Sequence, residues 1–275
     1  LRINERPIGD GGLRTLANSS LLKNLETLII YKGDIRDKGV LILANSKNLS
    51  QLKKLYLENN HITDQGAQII ASSGVFKNLH ILNLYRNKIT DKGARAIASS
   101  DNLSNLLEIN LNFNKVGNSG AVSLTESRHL RQLKTIELAY NNLDRTGSEV
   151  LQKFRVSQNI KQLNEAGRLN EVGSLIQGDL GVMSLLQFSH IAKLKTLDLR
   201  ESNLTDHSVI AIANSDKLSG LLTLNLSGNR ITDLGAGALA SSGHLTQLKK
   251  LDLNFNSIGD AGAQAIAESP YLVNM

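Results

Sequence analysis

Apolar residues recur along this chain in a fixed unit whose two halves have different periods. The first half follows the pattern L-x-x-L-x-L-x-x-N-x-I, clearest in Leu52, Leu55, Leu57, Asn60 and Ile62. The register returns every 27 residues, at Leu79, Leu82, Leu84, Asn87, Ile89, then at Leu106, Ile109, Leu111, Asn114, Val116, then at Leu133, Ile136, Leu138, Asn141, Leu143. One earlier unit reads Leu25, Leu28, Ile30, Gly33, Ile35. After a gap the pattern resumes at Leu194, Leu197, Leu199, Ser202, Leu204, continues through Leu221, Leu224, Leu226, Asn229, Ile231, and recurs from Leu248 to Ile258. Alternation over such a short run predicts a strand, and repetition at one period predicts a stack of identical units. In the second half, as in 64–71 and 91–98, apolar residues fall at helical spacing and predict a short amphipathic helix.

Strands hydrogen-bond about 4.8 Å apart whereas packed helices need about 8 to 10 Å, so a stack of such units bends with its strands inside. The expected fold is an α/β solenoid shaped as a horseshoe, with parallel strands on the concave face and helices on the convex face. About ten repeats fit the chain, counting truncated and degenerate ones. Leu1, Ile3 and Ile8 occupy the apolar positions of a partial first unit, and the chain opens on Leu rather than Met. We therefore expect it to begin inside a repeat, with its natural N-terminus further upstream.

Three polar columns repeat with the period. Asp10, Asp37, Asp64, Asp91, Asp206, Asp233 and Asp260 open the helices, where a carboxylate can accept the first free amide protons and favour the dipole. Two places later stand Gly12, Gly39, Gly66, Gly93, Gly120, Gly147, Gly235 and Gly262, which leave room for a neighbouring turn, and Ser208 breaks this column. Asn60, Asn87, Asn114, Asn141, Asn229 and Asn256 stand where each strand turns outward, and are expected to bond backbone groups that the turn leaves unpaired. All three columns read as framework rather than chemistry.

The combination LxxLxLxxN followed by IxDxGAxxIA resembles the ribonuclease-inhibitor subfamily of leucine-rich repeats. Here the regular units have 27 residues instead of a longer alternating pair, and Asn fills, in six units, the turn position that Cys can share in that subfamily. The resemblance implies a protein that binds other proteins, in several relatives by blocking an enzyme. The uniform short units, free of cysteine and rich in lysine and asparagine, also resemble the leucine-rich-repeat effectors that intracellular bacteria such as Legionella place in host cells. That likeness implies a host protein or another effector as target. A GTPase activator of the Ran type shares the repeat style and is the alternative, together with a sensor fragment of a larger receptor.

Aromatic residues collect on the strand positions that face the concave side. Of five tyrosines and five phenylalanines in the chain, Tyr31, Tyr56, Tyr85, Phe113, Tyr140 and Phe255 fall on the inner face or its rim. Rigid rings bury large area at little entropy cost, which suits them to binding. Phe113 and Phe255 could instead turn back to cover the edge of the core. With Lys32, Glu58, Asn83, Arg86, Asn110, Asn112, Glu137, Asp198, Arg200, Glu201 and Asp252, these six rings form the expected partner-binding set.

A net charge of +6 and a pI near 9.4 would suit a nucleic-acid binder, but the location of the charge argues against one. The inner positions carry Arg2, Lys32, Arg86 and Arg200 against Glu5, Glu58, Glu137, Asp198, Glu201 and Asp252. Lys38, Lys53, Lys92 and Lys115 fall on loops or outer helices. The expected partner is thus a protein, an enzyme or effector with a basic patch matched to Asp198, Glu201 and Asp252. No nucleic acid and no membrane is expected, and apart from its partner the chain should be a monomer. A catalytic site and a metal or other cofactor are likewise not expected. His61, His80, His129, His190, His207 and His244 show no metal-ligand spacing, and Glu137 and Asp198 lie about two repeats apart. With no cysteine, a thiolate nucleophile is excluded and a reducing compartment fits, the cytoplasm or a host cytosol into which a bacterium secretes. No apolar run approaches the roughly 18 residues that span a bilayer.

Residues 144–193 fit the period poorly. From Leu133 to Leu194 is 61 residues, two periods plus seven, so one degenerate repeat carries an insertion. Ile160 and Leu163 stand in strand register for that unit, with Glu165 in place of its third leucine. Phe154, Leu175, Met183, Leu186 and Phe188 predict packed structure there, so 1–275 is expected to be a single domain.

Overall fold

A computed structural model describes all residues, 1–275. The first compact unit, Leu1–Gln152, holds a six-stranded parallel sheet. Its strands are β1 (Arg2–Asn4), β2 (Thr27–Tyr31), β3 (Lys54–Tyr56), β4 (Ile81–Asn83), β5 (Glu108–Asn110) and β6 (Thr135–Glu137), each paired with the next in chain order. Between them run helices α1 (Gly9–Asn18), α2 (Asp37–Ala44), α3 (Asp64–Ser72), α4 (Asp91–Ala98) and α5 (Asn118–Thr125). The register shifts by one repeat per strand, Leu28 beside Leu55, Leu55 beside Leu82 and Leu82 beside Ile109. Leu55, Leu57, Leu82, Leu84 and Leu111 are wholly buried, as are Ala67, Ile70, Ala94 and Ile97 on the helices.

Helix α6 (Arg145–Glu165) begins in this unit and ends in the second, Lys153–Met275. There a three-stranded parallel sheet holds β7 (Thr196–Asp198), β8 (Thr223–Asn225) and β9 (Lys250–Asp252). Helices α7 (Gly178–Leu185), α8 (Asp206–Ala213), α9 (Asp233–Ala240) and α10 (Asp260–Ala267) accompany it. Its core joins Leu197, Leu199, Leu224 and Leu226 with Val182, Val209 and Ile212.

The asparagine column behaves as expected. Asn60 Oδ1 accepts the N–H groups of Gly33 and Ile35 at 3.0 Å each, while its Nδ2 donates to the Ile30 carbonyl at 3.1 Å and the Glu58 carbonyl at 3.0 Å. One buried amide thus satisfies four backbone groups, two of them at the turn of the preceding repeat.

The aspartates act differently from the expectation that each caps the helix it opens. Asp37 Oδ1 accepts from the backbone N–H of Thr63 at 2.9 Å and of Gly66 at 3.0 Å, both one repeat ahead. The carboxylate therefore caps the next helix, and the helix's own first turn is capped by Thr63, whose hydroxyl accepts from Gln65 N–H at 3.2 Å. Glycine is needed at position 66 because a Cβ there would lie 2.5 Å from Asp37 Oδ1. At the break in the glycine column, the Ser208 hydroxyl donates to Asp179, in the position a glycine N–H takes elsewhere.

Residues 144–193 depart from the strand reading. Ile160 and Leu163 lie in α6, a helix of 21 residues, and there is no strand between β6 and β7. In a strand Glu165 would project into the core, whereas a helix sends Val156 and Ile160, four apart, to the same buried face and leaves Glu165 exposed. Asp179 and Gly181 nevertheless stand one period before Asp206 and Ser208, so α7 restores the register. The edge of β7 is met by a 3₁₀ segment, Leu169–Leu175. Gly173 lies directly on the Asp198 carbonyl, where any Cβ would overlap it.

Candidate functional site

In the first unit the open sheet face is built from the residues that alternate with buried leucines. Tyr31, Tyr56, Glu58, Asn83, Tyr85, Asn110, Asn112 and Glu137 are half-buried on this face, with Lys32, Arg86, Phe113 and Tyr140 more exposed at its rim. The rim residues belong to one column spaced by the 27-residue repeat, in which Asn59 stands between Lys32 and Arg86. Each adopts left-handed backbone, with φ of 51° at Lys32 and Arg86 and 56° at Phe113 and Tyr140. The turn out of the strand imposes this: the N–H of Arg86 must reach the Asn112 carbonyl at 2.9 Å, and that of Phe113 the Ala139 carbonyl at 2.9 Å. A side chain other than Gly, Asn or Asp is disfavoured there by about 1–2 kcal/mol.

The aromatic rings of this column and its neighbour form a ladder. Tyr85 and Phe113 have centroids 5.1 Å apart at 59°, and Phe113 stacks on Tyr140 at 4.1 Å and 20°. Phe113 is 39% exposed and Tyr140 75%, so Phe113 does not fold back over the core. The asparagines among them spend part of their polar capacity locally. Asn83 Oδ1 accepts from Tyr85 N–H, Asn110 Oδ1 from Asn112 N–H, each at 2.9 Å, and Asn112 Oδ1 from Ala139 N–H at 2.6 Å. Asn83 Nδ2 also donates to the Glu58 carboxylate at 2.6 Å.

Charge is distributed unevenly over this face. Lys32 pairs with Glu5 at 3.3 Å and stands 5.3 Å from the centre of the Tyr31 ring. Burial pushes the Glu58 carboxyl above its ordinary range, with Arg2 pulling it back. Burial likewise raises the Tyr56 phenol, reinforced by the charges of Glu108 and Glu58. Glu108 was not among the expected site residues. It occupies the first outward position of β5, equivalent to Lys54 of β3, one outward position before the column of Tyr56 and Asn83.

In the second unit Asp198, Arg200, Glu201, Asp252 and Phe255 share the corresponding face of β7–β9. Arg200 clamps Asp198 through Nε at 3.0 Å and through Nη2, which with the Arg200 N–H holds the Asp198 carboxyl below its ordinary range. Asp252 Oδ1 accepts from Asn254 N–H at 3.1 Å. Phe255, at φ 56°, is 89% exposed, again not turned onto the core. A cleft of about 460 Å³ beside β7 is lined by Asn170, Ser174, Gln177, Asp198 and Arg200, so the irregular segment borders this face.

No group of three or more His, Asp or Glu side chains is placed to hold a metal ion. His61 and His129 instead pair with Asp34 at 3.4 Å and Asp101 at 2.7 Å. No helix is long and apolar enough to cross a membrane.

Two family models match the chain: leucine-rich repeats in two copies over residues 50–96 and 219–263, and a single leucine-rich repeat over 102–124 and 190–213. The chain is a leucine-rich-repeat protein. Domains of this family generally bind other proteins. Among solved structures, an internalin, inlF, from Listeria monocytogenes aligns at 22% identity and a TM-score of 0.36, over 98% of this chain and 65% of its own. The Arabidopsis receptor kinase HAESA, solved with the peptide hormone IDA and the co-receptor SERK1, aligns at 16% identity and a TM-score of 0.29, over 87% of this chain and 31% of its own. The chain thus spans less than two thirds of either protein. No curated protein matches it.

Proposed function

We propose that this chain is a non-enzymatic binding module that captures a partner protein on the open face of its sheets and thereby masks or inhibits it. The partner on this reading is an enzyme or an effector protein presenting a basic patch, and the chain meets it as a monomer in a reducing compartment such as a host cytosol. One observation carries the proposal. Phe113, Tyr140 and Phe255 hold large rings in water and in left-handed backbone at once. Neither condition stabilises the fold, and residues that break local preference without burying themselves mark places where something else is gained. A bound protein would cover these rings and recover the apolar area.

Capture from candidate bacterial and host lysates tests the proposal. We expect a partner held by the wild type and by the outer-helix variant Lys92→Ala/Arg95→Ala to be lost by Tyr56→Ala/Tyr85→Ala/Tyr140→Ala, with unchanged circular dichroism. The captured protein would then be assayed for inhibition. Retention of the same partner by both variants would overturn the assignment to this face.

A further inference from the structure

The parallel register of the first unit surrounds one carboxylate with three tyrosines. Ile29, Tyr56 and Asn83 are partners across β2, β3 and β4, and the pairing continues outward through Leu57 N–H to the Asn83 carbonyl and Asn59 N–H to the Tyr85 carbonyl. Glu58 therefore has Tyr31 on the neighbouring strand to one side, Tyr85 on the other, and Tyr56 two residues before it on the same face. With strands about 4.8 Å apart, the four side chains share a patch roughly 10 Å across.

The polar groups of this patch are unevenly satisfied. One Glu58 oxygen accepts from Asn83 Nδ2 at 2.6 Å, and the carboxylate forms no ion pair, since Arg2 reaches it only through its field. Among the other cations nearby, Lys32 is engaged with Glu5, Lys54 lies two outward positions back along the strand, and Arg86 is exposed on the rim beyond Tyr85. A second negative charge, Glu108, acts on the Tyr56 phenol from the far side. Burial meanwhile penalises the Glu58 charge, so a cation placed here would offset a desolvation already present. The rings can take part as well. Lys32 stands 5.3 Å over Tyr31, so a ring of this set already faces a cation.

Resting on the reading that this face binds a protein, we propose that Glu58 within Tyr31, Tyr56 and Tyr85 is the anchor site for an arginine side chain of that partner. A guanidinium is planar and weakly hydrated, so it can lie against a tyrosine ring while its N–H groups reach the free Glu58 oxygen and the Tyr56 hydroxyl. A lysine ammonium would offer the charge without the plane, and a citrulline the plane without the charge. These two side chains therefore separate the parts of the proposal.

The probes are blocked pentapeptides of glycine and serine carrying arginine, citrulline or lysine at the centre, titrated against the intact chain by NMR. The arginine peptide should bind at least about tenfold more tightly than the citrulline peptide, and Glu58→Gln should remove that preference while keeping the acceptor for Asn83. Tyr85→Leu should weaken the arginine peptide and leave the fold intact by circular dichroism. Equal binding of arginine and citrulline, no measurable binding of either, or a preference that survives Glu58→Gln would overturn the site. A lysine peptide as tight as the arginine peptide would overturn the assignment to a guanidinium. If Glu58→Gln still captures the lysate partner that the triple tyrosine variant loses, the arginine site fails and the binding face stands. If the triple variant also retains it, the face itself is refuted.

Discussion

Asp64 takes both polar groups of Thr90, the backbone N–H at 2.7 Å and the hydroxyl at 2.7 Å, although the two residues lie 26 positions apart. The same carboxylate accepts from Gly93 N–H at 2.9 Å, so one side chain ties the helix of its own repeat to the start of the next. Stability in this fold is accordingly held at the joints between repeats as well as inside them. Removing Asp64 leaves two amides and a hydroxyl partly buried without an acceptor, and Asp64→Ala should cost about 2–4 kcal/mol in urea unfolding. Asp64→Asn should cost less, since Asn118 occupies this column naturally and its Oδ1 still accepts from Asp144 N–H at 3.2 Å. Equal losses for the two variants would show that the negative charge, rather than the acceptor oxygen, makes the joint.

Two glycines separate close packing from helix propensity. A Cβ at Gly66 would stand 2.5 Å from Asp37 Oδ1 and 2.6 Å from Ile62 Cγ2, whereas one at Gly237 in α9 would meet nothing within 4 Å. Gly66→Ala should destabilise the chain by about 1–3 kcal/mol and Gly237→Ala should stabilise it by roughly 0.5–1 kcal/mol. Urea midpoints of the two variants check the opposite signs.

Tyr140 should be dispensable for folding and needed for capture. Asn59 adopts φ of 52° at the equivalent position of its own repeat, so asparagine fits the backbone at position 140 better than tyrosine does. Relief of this conformation offsets the lost stack on Phe113, leaving Tyr140→Asn within about 1 kcal/mol of wild type. Partner capture by the first unit's face should fall at least about tenfold. A variant that loses stability and capture together would instead give the ring a structural role.

Acid should loosen the second unit at the joint between α7 and α8. Burial alone would raise Asp179, but hydrogen bonds from the Ser208 hydroxyl and from the N–H and hydroxyl of Thr205, with the charge of His207, hold its carboxyl below the ordinary range. The folded form therefore holds this proton less readily than the unfolded chain. The joint's contribution is complete above the unfolded value of about 3.9 and disappears as pH falls through the lowered folded one. Ser208→Ala should lower the unfolding midpoint at neutral pH, and its gap to wild type should narrow below about pH 3.9. A gap that stays constant into acid would remove Asp179 from the account.

Everything that repetition makes local could be read from the chain. A 27-residue period places Leu55, Leu82 and Ile109 in equivalent surroundings, so alternation on the strands and helical spacing on α3 and α4 identify both elements and their buried sides. The asparagine column could be read for the same reason, since a polar residue recurring at the strand exit has only backbone to bond. Tertiary structure decided the rest, because those features depend on residues one repeat apart meeting in a particular direction. Whether Asp37 caps its own helix or the next depends on which amides the stack brings to its oxygens. Whether Phe113 covers the core or stacks on Tyr140 depends on the left-handed turn that aims it outward. Ile160 fits strand or helix equally by spacing, and the choice is made by a core that accepts Val156 beside it and rejects Glu165. The tyrosines around Glu58 were each visible in the chain, but their convergence on one carboxylate is a property of register, which exists only once β2, β3 and β4 have paired.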